Sequence, residues 1–303
     1  MHRTLFKLNA ALLAAAAFVF TACGNTTTSS DPGVMPIEDK TYTANGVTFT
    51  MKAVQTVKDG VIGNNKLKNN KERKVNLTAY RIGETEVTQE LWEAVMGKND
   101  SHFKTNPASG EVQKLRPVDS VSWLDCVNFC NELTKRVMGD AAAQVYTVYP
   151  KTATQDIRVT QDLKKKGFRL PTEAEWEWAA ASGQKREVWA GTSKKENLKD
   201  YAWYLNSDGG DANSQTHEVK KKKPNEFGLY DMSGNVSEWC WDSFSDDDMA
   251  GDDPTGPVGF YKNSVFKGSD WSEKAALAEC SYRNEEAKSS GLAVFGLRIV
   301  CRP

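Results

Sequence analysis

From Trp189 to the C-terminus the chain gives no helix signal: Gly, Asp, Asn and aromatic residues accumulate in short strand-like pieces separated by long loops. A fold of that kind has few regular elements with which to bury apolar surface. Large side chains must supply the area instead, and nine tryptophans, Trp239, Trp241 and Trp271 among them, can do so. At 303 residues with 39% hydrophobic content the chain is long enough to bury a core of ordinary size. No internal repeat and no second boundary interrupts it. Residues 43–303 are therefore expected to form one α+β, loop-rich domain.

Regular elements are legible in the first half. Residues 46–51 alternate as a strand, a Lys- and Asn-rich loop is expected at 58–74, and residues 75–82 lead into the first helix. Thr88 caps that helix, Leu91, Trp92, Val95 and Met96 mark its buried face, and Gly97 ends it. Ser122, with Asp125 three residues on, starts a second helix that runs to about Val137 before Gly139. Residues 145–149 and 157–160 read as a hairpin. In the third helix Thr172 and Glu175 form a capping box, and Trp176 and Ala180 are expected to face inward.

The first 22 residues have a basic start, an apolar run and then Thr21-Ala22-Cys23, the pattern of an export signal too short to span a membrane. Small residues before a cysteine point to a lipoprotein processing site, with Cys23 as the lipidated mature N-terminus. Residues 23–42, rich in Thr, Ser and Pro, read as a flexible tether. Gly24 stands where an inner-membrane retention Asp would sit, which favours the outer membrane as the destination. The formal charge of −1 becomes −3 without Arg3 and Lys7, so overall charge attracts neither nucleic acid nor anionic lipid. The lysine runs at 164–166 and 220–223 read as solvated loop faces, as does the acidic run Asp246-Asp247-Asp248 with Asp252 and Asp253. Of the cysteines after Cys23, an odd five, most read as buried free thiols, with room for one bridge; Cys126 and Cys130 share a helical stripe with Leu133 and Val137. No Ser-His-Asp order, phosphate loop or paired-cysteine zinc spacing is present.

Several segments carry a resemblance. Thr85-Glu86-Val87-Thr88, PVDSVSW (117–123), GFRLPTEAEWEWAA (167–180), NEFGLYDMSGNVSEW (225–239), residues 265–271 and Gly296-Leu297-Arg298 occur in one order over most of the chain. In these the chain resembles the sulfatase-modifying-factor family, whose founding members are formylglycine-generating enzymes. The resemblance implies a variant of the C-type lectin fold. Most of the motifs read as fold signatures: caps, turns, buried tryptophans, and Arg298 tied to a carboxylate.

Catalytic members hold copper with two cysteines five residues apart, because thiolates suit Cu(I). Counting from Gly268-Ser269-Asp270-Trp271 puts Glu273 and Ala278 at those positions, and Cys280 has Ala275 and Glu285 five residues to either side. Copper is therefore not expected. A second catalytic branch uses iron, which imidazole and carboxylate suit, but His102 and His217 lie 115 residues apart and read as surface or loop residues. The resemblance also implies structural calcium at Asp231, Gly234 (carbonyl), Val236 (carbonyl) and Glu238; the family's other calcium site falls at Ala202-Trp203-Tyr204, which lacks its asparagine.

The expectation is a lipid-anchored, non-catalytic member that binds a surface or periplasmic ligand through the region of the lost catalytic centre, and no nucleic acid. Polar candidates there are Glu273, Lys274, Glu279, Tyr282, Asn284, Glu285, Glu286 and Lys288, beside Trp271. Cys280 and the Ile299-Val300-Cys301 pattern look like related spirochaetal lipoproteins, which place diversified residues in this segment. The alternatives are a copper-dependent formylglycine-generating oxidase, an iron oxidase of the same family, or a purely structural envelope lipoprotein.

Overall fold

Asn45 and Gly46, at φ 46° and 86°, close a two-residue turn whose twist suits a hairpin. The computed structural model, which describes residues 35–153, 156–245, 249–257 and 262–303, builds from that hairpin. Its strands in chain order begin with β1 (Lys40–Ala44), β2 (Val47–Val54), β3 (Val57–Ile62), β4 (Arg73–Leu77) and β5 (Tyr80–Gly83). Helices α1 (Gln89–Met96) and α2 (Trp123–Met138) follow, then the hairpin β6 (Tyr146–Tyr149) and β7 (Arg158–Gln161), and α3 (Glu173–Ala180). Short strands complete the chain: β8 (Ser237–Ser243), β9 (Gly251–Asp252), β10 (Asn263–Lys267), β11 (Asn284–Ala287), β12 (Phe295–Gly296) and β13 (Val300–Cys301). The signal, Cys23 and Asp246-Asp247-Asp248 lie outside the described residues.

Three small sheets run β1-β2-β5-β13, β11-β10-β8-β12 and β3-β4-β9. In the first, β13 pairs with β5, Val300 opposite Ile82, and closes the edge of the sheet away from β1. Order also starts earlier than the expected tether allows. Lys40 already pairs with Met51, and Ile37 and Gln55 exchange hydrogen bonds of 3.0 and 2.8 Å.

All three expected helices form with their expected caps. Thr88 accepts from Leu91 N–H, and Ser122 and Thr172 each complete a capping box with Asp125 and Glu175. α1 and α2 pack with β1 and β2 around Trp92, Phe129, Leu133 and Trp239, the Trp92 and Phe129 rings stacked at 4.9 Å. Such a pair contributes about 1 kcal/mol beyond its buried area.

α3 differs from the expected inward stripe, since every one of its residues is buried. Three of them are glutamates, and each has a cation: Arg283 for Glu173, Arg169 for Glu175 and Lys267 for Glu177. Such pairing makes a buried, ionised carboxylate tolerable. Attraction to Arg169 and Lys267 outweighs burial and holds Glu175 and Glu177 below the usual range.

The Lys-rich stretch 58–74 is a loop only between β3 and β4. Its Lys58-Asp59-Gly60 reads as a turn, yet β3 carries a bulge there, and a Cβ on Gly60 would come within 2.7 Å of the Trp178 ring. All of Cys126, Cys130, Cys240, Cys280 and Cys301 are free and buried. Burial pushes Cys126, Cys240 and Cys280 well above the ordinary thiol range, so the thiolate form that binds soft metals is disfavoured.

Candidate ligand-binding site in the C-terminal segment

The turn at 231–238 is forced by its own backbone. Asp231, Gly234 and Asn235 all have positive φ, and Gly234 lies so close to Trp203 that a Cβ would sit 2.0 Å from the Trp203 carbonyl. Two amides fix the approach: Asn235 N–H donates to Trp203 O (2.9 Å) and Gly234 N–H to Gly268 O (2.8 Å). The turn thereby docks on the Gly268-Ser269-Asp270-Trp271 segment.

Three carboxylates meet beneath it. Glu238 receives Arg298 in a fork (2.8 and 3.0 Å) and the Trp176 indole N–H (2.6 Å). Glu86, which the sequence reading did not single out, accepts from Asn235 Nδ2 (2.7 Å) and Val236 N–H (3.0 Å). Asp231 accepts from Lys220 N–H at 3.0 Å through Oδ2, while its buried Oδ1 has no hydrogen-bond partner. Burial raises Asp231 to about 6 and pushes Glu86 well up, each helped by a neighbouring carboxylate. As a calcium cradle the turn offers the free Asp231 oxygen; Glu238 is committed to Arg298.

Beside this turn lies a cavity of about 180 Å³. The pairing of β10 with β8 and β11 brings its walls together from distant stretches: Ser237, Phe266, Ser269, Asp270, Glu273, Leu277, Tyr282, Asn284, Val294 and Phe295. Of the predicted residues, Glu273, Tyr282 and Asn284 line it. Trp271 stands next to it, its indole N–H 3.4 Å from Ala293 O and its ring edge-on to Phe103. Lys274 is exposed, and Glu279 feels Lys66. Glu285 accepts from Asn263 (3.0 Å), Glu286 from the Ala287 amide (2.7 Å), and neither lines the cavity. Lys288 turns elsewhere: its ammonium reaches Ser243 Oγ at 3.0 Å over the Trp123 ring, and burial lowers its pKa.

Sequence reasoning missed Ser269 and Asp270 as wall residues, though both lie in the turn it used for counting. Ser269 sits at φ 63°, and its buried hydroxyl has no partner. Asp270 accepts from Ser272 N–H (2.9 Å), Ser272 Oγ (2.6 Å) and Ser237 Oγ (3.1 Å), and burial raises its carboxyl.

Of the two residues at which the resemblance implies copper cysteines, Glu273 is exposed on the cavity wall and Ala278 is fully buried away from it. Cys280 borders a separate cavity of about 270 Å³ with Trp178 and Val188. Among the described residues no group of three or more His, Cys, Asp or Glu side chains is arranged to hold a metal ion. His102 is exposed as expected, but His217 is buried. Its ring stacks on Trp203 at 3.8 Å and bridges Glu111 Oε1 and Ala212 O, both at 2.8 Å. Every lysine of 220–223 pairs with a carboxylate: Glu84, Glu218, Asp211 and Asp200 in turn.

Small curled sheets joined by long, hydrogen-bonded loops define the formylglycine-generating-enzyme variant of the C-type lectin fold. The structure of Treponema denticola variable protein 1 shares it at a TM-score of 0.79 and 40% identity, covering 89% of this chain and 100% of that one. The chain belongs to the sulfatase-modifying factor enzyme 1-like domain family, which it matches over residues 35–303. It is 36% identical to the chaperone protein LppX of Paenibacillus barcinonensis over 252 residues, 76% of this chain and 82% of that protein. It is 39% identical to the formylglycine-generating enzyme of Thermomonospora curvata, over 29% of this chain and 31% of the enzyme.

Proposed function

We propose that this protein is a non-catalytic member of its family that binds a ligand in the cavity walled by Asp270, Glu273, Tyr282 and Asn284. One observation supports the reading: a cavity opens beside Glu273, and the two positions at which the resemblance implies copper-binding cysteines hold Glu273 and Ala278, neither of them a thiol. The name of the relative that spans most of its own length, a chaperone protein, agrees with a binding role. The test is a Cu(I) titration of the full chain, then mass spectrometry of a sulfatase-motif peptide incubated with it and oxygen. No tight copper and an unchanged cysteine are expected; stoichiometric copper with conversion to formylglycine overturns the proposal.

We further propose that the domain is displayed on the outer membrane by a lipid on Cys23, supported by the signal pattern before it. Labelling with a radioactive fatty acid should be lost in Cys23→Ala. A structural calcium ion at the 231–238 turn would be held by Asp231 and the Gly234 and Val236 carbonyls. Added calcium should then raise the melting temperature at neutral pH, and Asp231→Asn should abolish that rise.

A further inference from the structure

We infer that the cavity is shaped and charged for a cationic group, the ammonium or guanidinium of a basic side chain on a partner polypeptide. This rests on the ligand-binding reading above and names the chemistry of what is bound.

Charge is the first argument. The wall contains Asp270 and Glu273, and its one lysine, Lys267, turns its ammonium away to Glu177 (2.9 Å) and Glu173 (3.7 Å). The cavity thus keeps the carboxylates and loses the cation. Glu273 on the wall has no ion-pair partner among the described residues, and Asp270 takes its hydrogen bonds from serines, with no cation. Unmatched carboxylates gathered at a concave site raise the local concentration of a positive partner.

Shape is the second argument. Phe266 and Phe295 meet at 5.0 Å between ring centres, and Tyr282, Leu277 and Val294 continue an apolar wall. The alkyl stem of lysine or arginine lies against such a surface while its charged end reaches polar groups, and ring faces attract cations. At about 180 Å³ the cavity suits one side chain better than a drug-sized molecule, which takes roughly 300 Å³ or more.

The third argument is an unused acceptor. The Ser269 hydroxyl is buried without a partner, and a buried polar group left unpaired is a cost that an incoming N–H donor removes. Asp270 Oδ2, which accepts only from Ser237 Oγ, also keeps lone-pair capacity. An anionic ligand would meet two carboxylates with no cation. A neutral sugar would leave their charge uncompensated.

Saturation-transfer NMR on the full chain in detergent tests this with four capped tripeptides, Gly-X-Gly with X lysine, arginine, norleucine or glutamate, and with butylamine. Transfer to the lysine or arginine methylenes is expected. It should weaken with added salt and fall roughly tenfold in Glu273→Lys, because like charges then face each other. Glu273 is exposed, so this variant should fold. Butylamine equal to the lysine peptide would make a free amine, not a polypeptide, the source of the cation and overturn the partner named here. Preference for norleucine or glutamate, or lysine binding undiminished in Glu273→Lys, overturns the cationic assignment while leaving a ligand-binding cavity in place. No transfer from any probe at about 10 mM, a concentration that still detects affinities near 3 kcal/mol, also overturns it; the copper and sulfatase-peptide assay decides the broader reading independently.

Discussion

Arg298→Met should be among the most damaging single changes in this domain. The Arg298 guanidinium is fully buried and satisfies Glu238 through a fork, the Gly83 carbonyl at 2.7 Å and the Tyr230 carbonyl at 2.8 Å. It is also the cation that partly offsets the burial of Glu86 and Asp231. Methionine fills similar space but leaves Glu238 buried without an ion partner, which costs about 3–5 kcal/mol, and two carbonyls unpaired at about 1 kcal/mol each. For a domain of this size each kcal/mol moves the melting temperature by about 2–4 °C, so this loss of about 5–7 kcal/mol predicts a fall of about 10–28 °C near pH 7.5. Differential scanning calorimetry of the variant, of Glu238→Gln and of the double variant measures it. The double variant should recover part of the loss because the buried charge is gone. A fall of less than about 3 °C in Arg298→Met, well under what an orphaned buried carboxylate costs, or a double variant worse than the sum of the singles, would refute the reasoning.

Stability should also fall as pH rises from about 5 to about 7.5. Burial raises Asp231 to about 6 and Asp242 to about 7 in the fold. In that window the native state keeps protons the unfolded chain has released, and ionising either carboxyl in place costs on the order of 3 kcal/mol. Glu175 and Glu177, held low by Arg169 and Lys267, are ionised in both states there and add no opposing slope. Thermal melts at constant ionic strength that rise steadily across this range would contradict the assignment. Gly234→Ala should cost more than the roughly 1–2 kcal/mol of a left-handed alanine, because its methyl would strike the Trp203 carbonyl and break the Asn235 and Gly234 amide bonds. Urea unfolding measures it, and a cost below about 1 kcal/mol would mean the turn relaxes away from Trp203.

Local chemistry explains what the sequence showed of this fold. A cap is decided within a few residues, so Thr88, Ser122 and Thr172 could be placed from the chain alone. β3 could not, because Lys58-Asp59-Gly60 has the composition of a loop and becomes strand only where Gly60 meets Trp178, more than a hundred residues on. His217 looked like a loop residue for the same reason, since its burial depends on Trp203 and on Glu111, 106 residues earlier. At the candidate site, Glu273, Tyr282 and Asn284 were legible from their place after the Gly268 turn. Phe266, Phe295 and Ser237 were not, because they join the cavity only through the pairing of β8 with β10 and β12.

The segment that frames the cavity is held from below. Arg283, between Tyr282 and Asn284 in sequence, turns inward to Glu173 (2.8 Å), Asn69 O (2.8 Å) and Ser245 O (3.0 Å). Cys280 N–H donates to Val188 O at 2.7 Å, and Asn70 Nδ2 reaches Ser281 O at 2.5 Å. On the segment's side these bonds use one buried side chain, Arg283, and the backbone; of the wall side chains, Asn284 takes only the exposed Glu285 amide at 2.9 Å. Stability and binding should therefore separate along the segment. Arg283→Met leaves Glu173 with only Lys267, at 3.7 Å, and should cost about 3 kcal/mol, whereas Glu273→Ala and Asn284→Ala should stay within about 0.5 kcal/mol of the parent. Chemical unfolding of the three variants decides it. Comparable losses in all three would mean that the wall residues hold the segment in place, and that the cavity could not change its side chains without unmaking the fold.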